Sequence, residues 1–244
     1  MPARLYVDTP LETGAELELP PGAARHAQVL RLQPGDALAL FDGRGGEHAA
    51  TVTRMGRSAV AVRIGAHDAA ERDLACAVTL ALGMPANERM DTLVEKATEL
   101  GAAAIAPLVC ERSVLRLQGE RAAKKQQHWQ GVAIAAAEQC GRTRLPCVDA
   151  VTPFATWLQG LARPIGQTRW LLDPGAARPL AAAMTSLRGA ARIVVLSGPE
   201  GGLSPAERAL ARDAGFESIA LGTRVLRADT APLAALACLA TLGD

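Results

Sequence analysis

From Leu74 onward the chain alternates short, wholly apolar runs with longer amphipathic ones, and this pattern constrains the fold more than any other feature of the sequence. Strands buried on both faces read as continuous apolar runs, and joining two parallel strands takes a crossover that is usually a helix. Cys76 to Leu82, Ala104 to Val109, Arg169 to Leu172, Ile193 to Leu196 and Ser218 to Leu221 read as such strands. Between them, Met90, Leu93, Val94, Ala97 and Leu100 fall at helical spacing after a candidate cap at Asn87, and Gly101 ends that helix. Glu120 to Cys140 reads as a long helix. Ser204-Pro-Ala-Glu207 is a capping box with proline at the first helical position, and Gly215 closes the helix it starts. A mostly parallel α/β sheet is expected.

Upstream the period is different. Arg4 to Val7, Glu16 to Leu19, Ala37 to Phe41, Ala49 to Thr53 and Ala59 to Ile64 are short alternating segments, interrupted by one helix from about Gly22 to Leu30. They describe a small β domain over residues 1–68. Asp42-Gly43 and Gly45-Gly46 supply the positive φ values of a tight hairpin. Gly65 to Asp73 is polar and without period, so it reads as a linker to a second domain over residues 74–244.

Composition excludes several classes. Of 244 residues 49% are hydrophobic and 21% charged, which rules out a disordered, collagenous or coiled-coil chain. No apolar run approaches the roughly 20 residues of a membrane helix, and the start lacks a signal-peptide core, so a soluble cytoplasmic protein is expected. Five cysteines without a CxxC pair and four scattered histidines give no metal-ligand spacing, and no metal is expected. The net charge of +1 carries no information about nucleic acid, but residues 111–147 hold seven basic and three acidic side chains, a local net of +4.

Chemistry is carried by two loops. Leu196-Ser-Gly-Pro-Glu-Gly-Gly-Leu-Ser204 follows one strand and precedes the capped helix, with three glycines around a proline and a carboxylate. Ligands of open α/β sheets bind beyond the carboxyl ends of strands, and glycines let backbone approach them. Leu221-Gly-Thr-Arg-Val-Leu-Arg-Ala-Asp-Thr230 follows another strand, with Asp229 or Thr230 as a possible helix cap and two arginines that have no evident structural duty. Such loops from neighbouring strands would enclose a ligand with an apolar planar part and polar ends. Glu138-Gln-Cys-Gly-Arg-Thr-Arg144 groups an acid, an amide and two guanidiniums at a helix end, as phosphate or base-edge contacts require. Gly43-Arg-Gly-Gly46 lacks the strand-to-helix setting of a dinucleotide loop, and neither a P-loop nor a GxSxG elbow is present.

Gly198-Pro-Glu-Gly-Gly202, Leu221-Gly-Thr-Arg-Val-Leu-Arg227, Glu95-Lys-Ala-Thr-Glu-Leu-Gly101 and Glu138-Gln-Cys-Gly-Arg142 resemble the motifs of the RsmE-type bacterial 16S ribosomal RNA (uracil-N3) methyltransferases of the SPOUT class. The resemblance extends through Arg25-His-Ala-Gln-Val-Leu-Arg31 and Leu40-Phe-Asp-Gly43 and so covers the whole chain. It implies an α/β fold with a PUA-like β-barrel domain for RNA binding, followed by a SPOUT methyltransferase domain threaded as a carboxyl-terminal trefoil knot, a rare exception to unknotted topology. It further implies S-adenosylmethionine bound by Leu196, Gly198, Glu200, Gly201, Leu221, Gly222, Val225, Leu226 and Arg227, with 16S rRNA of the small ribosomal subunit as substrate. A homodimer is implied too, consistent with an apolar final helix from Pro232 to Leu242.

For the reaction, the N3 proton of uracil must leave and the charge on O2 and O4 must be stabilised. The resemblance and this need together make Arg227 the anion stabiliser and Arg142 an orienting group. Glu138, Glu200 and Asp229 stand as alternative acceptors. Arg25, Arg31, Arg112, Arg116, Arg142 and Arg144 are the expected RNA contacts. Two departures from the family pattern stand out: Ala228-Asp229 replaces the usual threonine and glutamate, and Arg89 stands where relatives usually carry lysine. A knotted methyltransferase for transfer RNA or another rRNA site, and a non-catalytic RNA-binding assembly protein, are the competing readings.

Overall fold

The computed structural model describes residues 2–57, 59–86, 89–161, 166–187 and 192–241. The chain forms two compact units. One runs to Asp73 and also takes Ile134–Leu145; the other takes Leu74–Ala133 and the chain from Pro146 onward.

The first unit holds β1 (Ala3–Tyr6), β2 (Glu16–Glu18), α1 (Pro21–Val29), β3 (Ala37–Phe41), β4 (Glu47–Met55) and β5 (Val60–Asp68). They form a five-stranded sheet in the order β1-β3-β4-β5-β2. Only the β1–β3 pair is parallel. Alternate residues point inward, so Leu38, Leu40, Val52, Val60, Val62 and Ile64 meet Ala23, Ala24 and Ala27 of α1 in one core. The expected linker is shorter than its composition suggests. Gly65 to Asp68 continue β5, because backbone pairing with β4 overrides their poor strand propensity.

The second unit holds β6 (Ala77–Gly83), α2 (Arg89–Glu99), β7 (Ala104–Val109), α3 (Gly119–Cys140, its last turns in the first unit), β8 (Cys147–Val148), β9 (Thr152–Pro153) and α4 (Phe154–Gly160). It continues with β10 (Gln167–Leu172), α5 (Leu180–Thr185), β11 (Arg192–Ser197), α6 (Pro205–Asp213), β12 (Glu217–Ile219) and α7 (Thr230–Ala240). Its parallel sheet runs β12-β10-β11-β6-β7-β8, with β9 also beside β7. Val78, Leu80, Leu82, Ile193 and Val195 pack one face against α2 and α7. Ala81, Ala106, Leu108, Val194 and Leu196 pack the other against Phe154, Ala211 and Phe216. Burial on both faces explains the continuous apolar runs. Asn87, the expected cap of α2, and Leu242, the expected end of the last helix, lie outside the described residues.

A polar clamp joins α2 to α3 in this core. Asp91 accepts the indole N–H of fully buried Trp129 at 2.9 Å and pairs with His128 Nε2 at 2.7 Å. Burial alone would push the Asp91 carboxyl up, but the hydrogen bonds from His128 and Trp129 outweigh it and hold it below the usual carboxylate value. A group depressed in this way adds stability above the unfolded value of about 4 and loses it as pH falls through the folded one. Asp91→Ala should cost about 1–3 kcal/mol at neutral pH, because a buried indole N–H loses its acceptor. Urea titrations of parent and variant should converge in acid.

Candidate functional site

The carboxyl ends of β10, β11 and β12 all point to one side of the parallel sheet, and the loops they emit enclose a cavity of about 530 Å³. That volume is in the range of small-molecule sites. β11 lies between β10 and β6, both earlier in the chain, so its loop opens at the middle of the sheet. β10 separates β11 from β12, contrary to the expectation that the two glycine-bearing loops come from neighbouring strands. Strand order is a long-range property that local periodicity does not encode. The loop after β10 therefore contributes Asp173 and Pro174 to the cavity, alongside Leu171 and Leu172 of the strand itself.

The loop after β11 is held from several directions. Gly202 adopts φ +66 and donates to the Pro199 carbonyl at 2.7 Å, closing a turn. The capping box of α6 is complete: the Ser204 hydroxyl accepts from Glu207 N–H at 3.2 Å and the Glu207 carboxylate from Ser204 N–H at 2.9 Å. Buried Glu207 also accepts the N–H of Glu111 at 2.8 Å, tying the loop after β7 to the same helix end. Arg112 donates to the Gly201 carbonyl at 3.1 Å. Glu200 accepts Ala86 N–H at 2.9 Å and pairs with Arg89 at 3.4 Å, so this acid lines the cavity already engaged. At Gly83 an added Cβ would lie 2.6 Å from Pro199 N, and the strand and loop backbones fit only because it has none. Burial, with the nearby Glu207 charge, pushes the Cys110 thiol up to about 12, so it is not a nucleophile at neutral pH.

The loop after β12 supplies Leu221, Arg224, Val225, Leu226, Arg227 and Ala228. The Arg227 carbonyl accepts from Thr230 and Ala231 N–H, each at 3.0 Å, and so takes the first turn of α7. Asp229 occupies the cap position, but its φ of −81° and ψ of −32° are helical and its side chain makes no capping bond. The expected carboxylate or hydroxyl cap is replaced by a carbonyl, since side-chain capping needs an extended backbone there.

Of the expected cofactor residues, Gly198, Glu200, Leu221, Val225, Leu226 and Arg227 line the cavity. Leu196 is buried in the core beneath it, Gly201 faces Arg112, and Gly222 with φ +112 shapes the turn. Sequence reasoning misses Asp173 and Arg208, which face each other at 3.7 Å, and Ser197 at the end of β11. The signal that points to Asp173 is its place just past a buried strand. Arg89, Arg208, Arg224 and Arg227 against Asp173 and Glu200 leave the lining basic.

Glu138 and Arg142 belong to the first unit, whereas Arg227 belongs to the second. Glu138 accepts the N–H of Tyr6 at 2.9 Å and pairs with His26 at 3.0 Å. Arg142, 4% exposed, donates to Asp73, and Arg144 forms a two-pronged pair with Glu71 at 2.7 and 3.0 Å. The +4 of residues 111–147 is thus partly neutralised by acids some 70 residues earlier, which no local count could include. Arg4 donates to the carbonyls of Ala137 and Arg142 at 2.7 and 2.9 Å, closing the end of α3. Arg25 and Arg31 are exposed in the first unit; Arg112 and Arg116 are exposed in the second, where Arg116 donates to the Glu111 carbonyl at 2.7 Å. Among the described residues no cluster of three or more histidines, cysteines or acids could hold a metal ion, and no helix is long and apolar enough to cross a membrane.

Residues 72–240 match the RNA methyltransferase domain family and residues 19–65 the RNA methyltransferase PUA domain family. The ribosomal RNA small subunit methyltransferase E of Synechocystis is 34% identical over 210 residues, 86% of this chain and 67% of that protein. Its namesake in Mycobacterium bovis is 32% identical over 97% of this chain and 90% of its own length. The crystal structure of the Neisseria gonorrhoeae namesake, bound to S-adenosyl methionine, superposes with a TM-score of 0.91 at 34% identity, covering 99% of this chain and 98% of that one.

Proposed function

The chain belongs to the ribosomal RNA small subunit methyltransferase E family, and from that membership and the cavity at the carboxyl ends of β10, β11 and β12 we propose that it methylates N3 of a uridine in 16S rRNA with S-adenosylmethionine as donor. The observation that carries the reading is the glycine loop over the cavity. An added Cβ at Gly198 would lie 2.9 Å from Leu203 N and 3.1 Å from Gly202 C, so the loop turns at a closeness that only glycine permits.

The residues present fit the donor. Leu171, Leu203, Ile219, Leu221 and Leu226 offer an apolar wall for an adenine ring, and backbone groups at Ser197 and Gly198 offer polar partners. When bound, S-adenosylmethionine supplies an electrophilic methyl carbon on a cationic sulfur. The chain's own part is to place the uracil and make its N3 a nucleophile. Arg227, exposed at the cavity, stabilises the negative charge that spreads to O2 and O4 as the N3 proton passes to solvent water at the open side of the cavity. Glu200, held by Ala86 and Arg89, keeps the glycine loop in place and is less suited to receive that proton.

Residues 1–68 serve as a PUA-like RNA-binding barrel and 74–244 as the methyltransferase domain, in this reading. A trefoil knot accords with β11 lying between two earlier strands. Homodimerisation would cover α7, whose Leu233, Ala234 and Ala237 are only partly buried and whose Cys238 is exposed. The protein acts in the cytoplasm, where its substrate is assembled.

Incubation with methyl-labelled S-adenosylmethionine and, in parallel, small ribosomal subunits, naked 16S rRNA and bulk transfer RNA tests this. Label is expected in 16S rRNA, in the subunit or free. Label confined to transfer RNA would overturn the substrate, and no label on any RNA despite cofactor binding would overturn the enzyme.

A further inference from the structure

Among the described residues two carboxylates line the cavity, Asp173 and Glu200. Glu200 is already engaged, since one of its oxygens takes Ala86 N–H at 2.9 Å and faces Arg89 at 3.4 Å. Asp173 is held differently. It is the first residue past β10, and its N–H donates to the Ile219 carbonyl of β12 at 3.0 Å, so its backbone stays tied to the sheet. Its Oδ1 accepts Gly175 N–H at 3.0 Å, which fixes the carboxylate in an Asx turn. Oδ2 takes no hydrogen bond among the described residues. It faces Arg208 at 3.7 Å, beyond hydrogen-bonding distance, and the side chain keeps 21% of its surface exposed. Arg208 is anchored where it stands, its Nε donating to the Leu203 carbonyl at 3.2 Å. An oriented carboxylate oxygen with open lone pairs on a cavity is a ready acceptor.

A methyl donor of the S-adenosylmethionine kind offers such an oxygen two sorts of hydrogen-bond donor, the ribose hydroxyls and the ammonium of the amino acid. Two observations favour the hydroxyls. Asp173 sits at the foot of the wall made by Leu171 of β10 and Ile219 of β12, apolar side chains suited to an adenine ring, and the ribose is the part of the molecule joined to adenine. The Arg208 guanidinium offsets the carboxylate charge, which disfavours a second cation beside it and leaves its attraction for neutral hydroxyls intact. A carboxylate past a strand end accepting ribose hydroxyls is also how dinucleotide folds read that sugar.

We propose that Asp173 accepts the 2′- and 3′-hydroxyls of the donor's ribose and so makes the cavity selective for ribonucleoside donors. The inference rests on the reading of S-adenosylmethionine as donor and adds the residue that reads its sugar. Because the ribose is unchanged by methyl transfer, the contact serves donor and demethylated product alike and sets affinity rather than rate.

Calorimetry with three ligands tests it without RNA or turnover. S-adenosylhomocysteine carries both sugar hydroxyls and amino acid, 5′-methylthioadenosine keeps the hydroxyls and lacks the amino acid, and the 2′,3′-dideoxy form of S-adenosylhomocysteine does the reverse. The parent should bind the dideoxy ligand about 10-fold more weakly than S-adenosylhomocysteine, the usual worth of a hydrogen bond to a charged group. Asp173→Asn keeps an oxygen for Gly175 N–H, so the turn should survive. It should bind S-adenosylhomocysteine and 5′-methylthioadenosine each about 10-fold more weakly than the parent does, and the dideoxy ligand with parental affinity. Equal affinity of the parent for S-adenosylhomocysteine and its dideoxy form would overturn the proposal. A loss in the variant confined to S-adenosylhomocysteine would also overturn it, by placing the carboxylate on the ammonium, and a loss extending to the dideoxy ligand would make Asp173 a support for the loop only. Should the parent bind none of the three, the reading of the donor fails and the proposal with it; binding without selectivity for the sugar fails the proposal alone.

Discussion

Arg227→Ala is expected to lower kcat for methyl transfer by about 10²- to 10³-fold, the usual cost of removing a donor aimed at developing negative charge. The backbone of this residue is already committed, its carbonyl accepting the first two N–H groups of α7. Alanine preserves that anchor, so the loop and α7 should stay in place. The guanidinium is exposed at the cavity and pairs with no carboxylate among the described residues, which leaves it available to uracil O2 or O4. Cofactor affinity, measured by calorimetry, should change much less than turnover. Arg227→Lys should recover only part of the rate, because a point charge replaces a planar fork. A variant with near-parental turnover and intact cofactor binding would remove Arg227 from the chemistry.

Gly198→Ala is expected to weaken cofactor binding by about 100-fold. The added Cβ would meet Leu203 N at 2.9 Å and Gly202 Cα at 3.2 Å, and these are backbone atoms of the same tight loop. Relief requires the loop to open, and the overpacking penalty of about 1–3 kcal/mol falls on the cavity wall. Gly131→Ala is the matching control. It lies in α3 with nothing within 4 Å of its Cβ direction, so it should leave cofactor affinity unchanged and raise stability by about 0.5–1 kcal/mol. Parental affinity in Gly198→Ala would show that this loop does not hold the donor.

Features that depend on near neighbours in the chain are legible in the residues alone. The i, i+3, i+4 spacing of α2 and the Ser204–Glu207 box of α6 both name their elements, because each depends on residues within one or two turns. The glycine loop after β11 is legible as a ligand loop for the same reason. Two-residue strands β8 and β9 and the short helices α4 and α5 are not, since too few residues exist to show a period. Asp173 and Arg208 meet only through the placement of β10 beside β11, a pairing that residue order does not reveal. Arg142 reads as a free phosphate ligand in the sequence because Asp73, its partner, is 69 residues away.

Mass spectrometry of nucleosides released from treated small-subunit RNA reads directly whether the methyl group goes to N3 of uracil. A single new product, 3-methyluridine, is expected, absent when Arg227→Ala replaces the parent for a short incubation. Methyl on ribose or on uracil C5 would contradict it, because neither reaction passes through the imide anion that Arg227 is placed to stabilise.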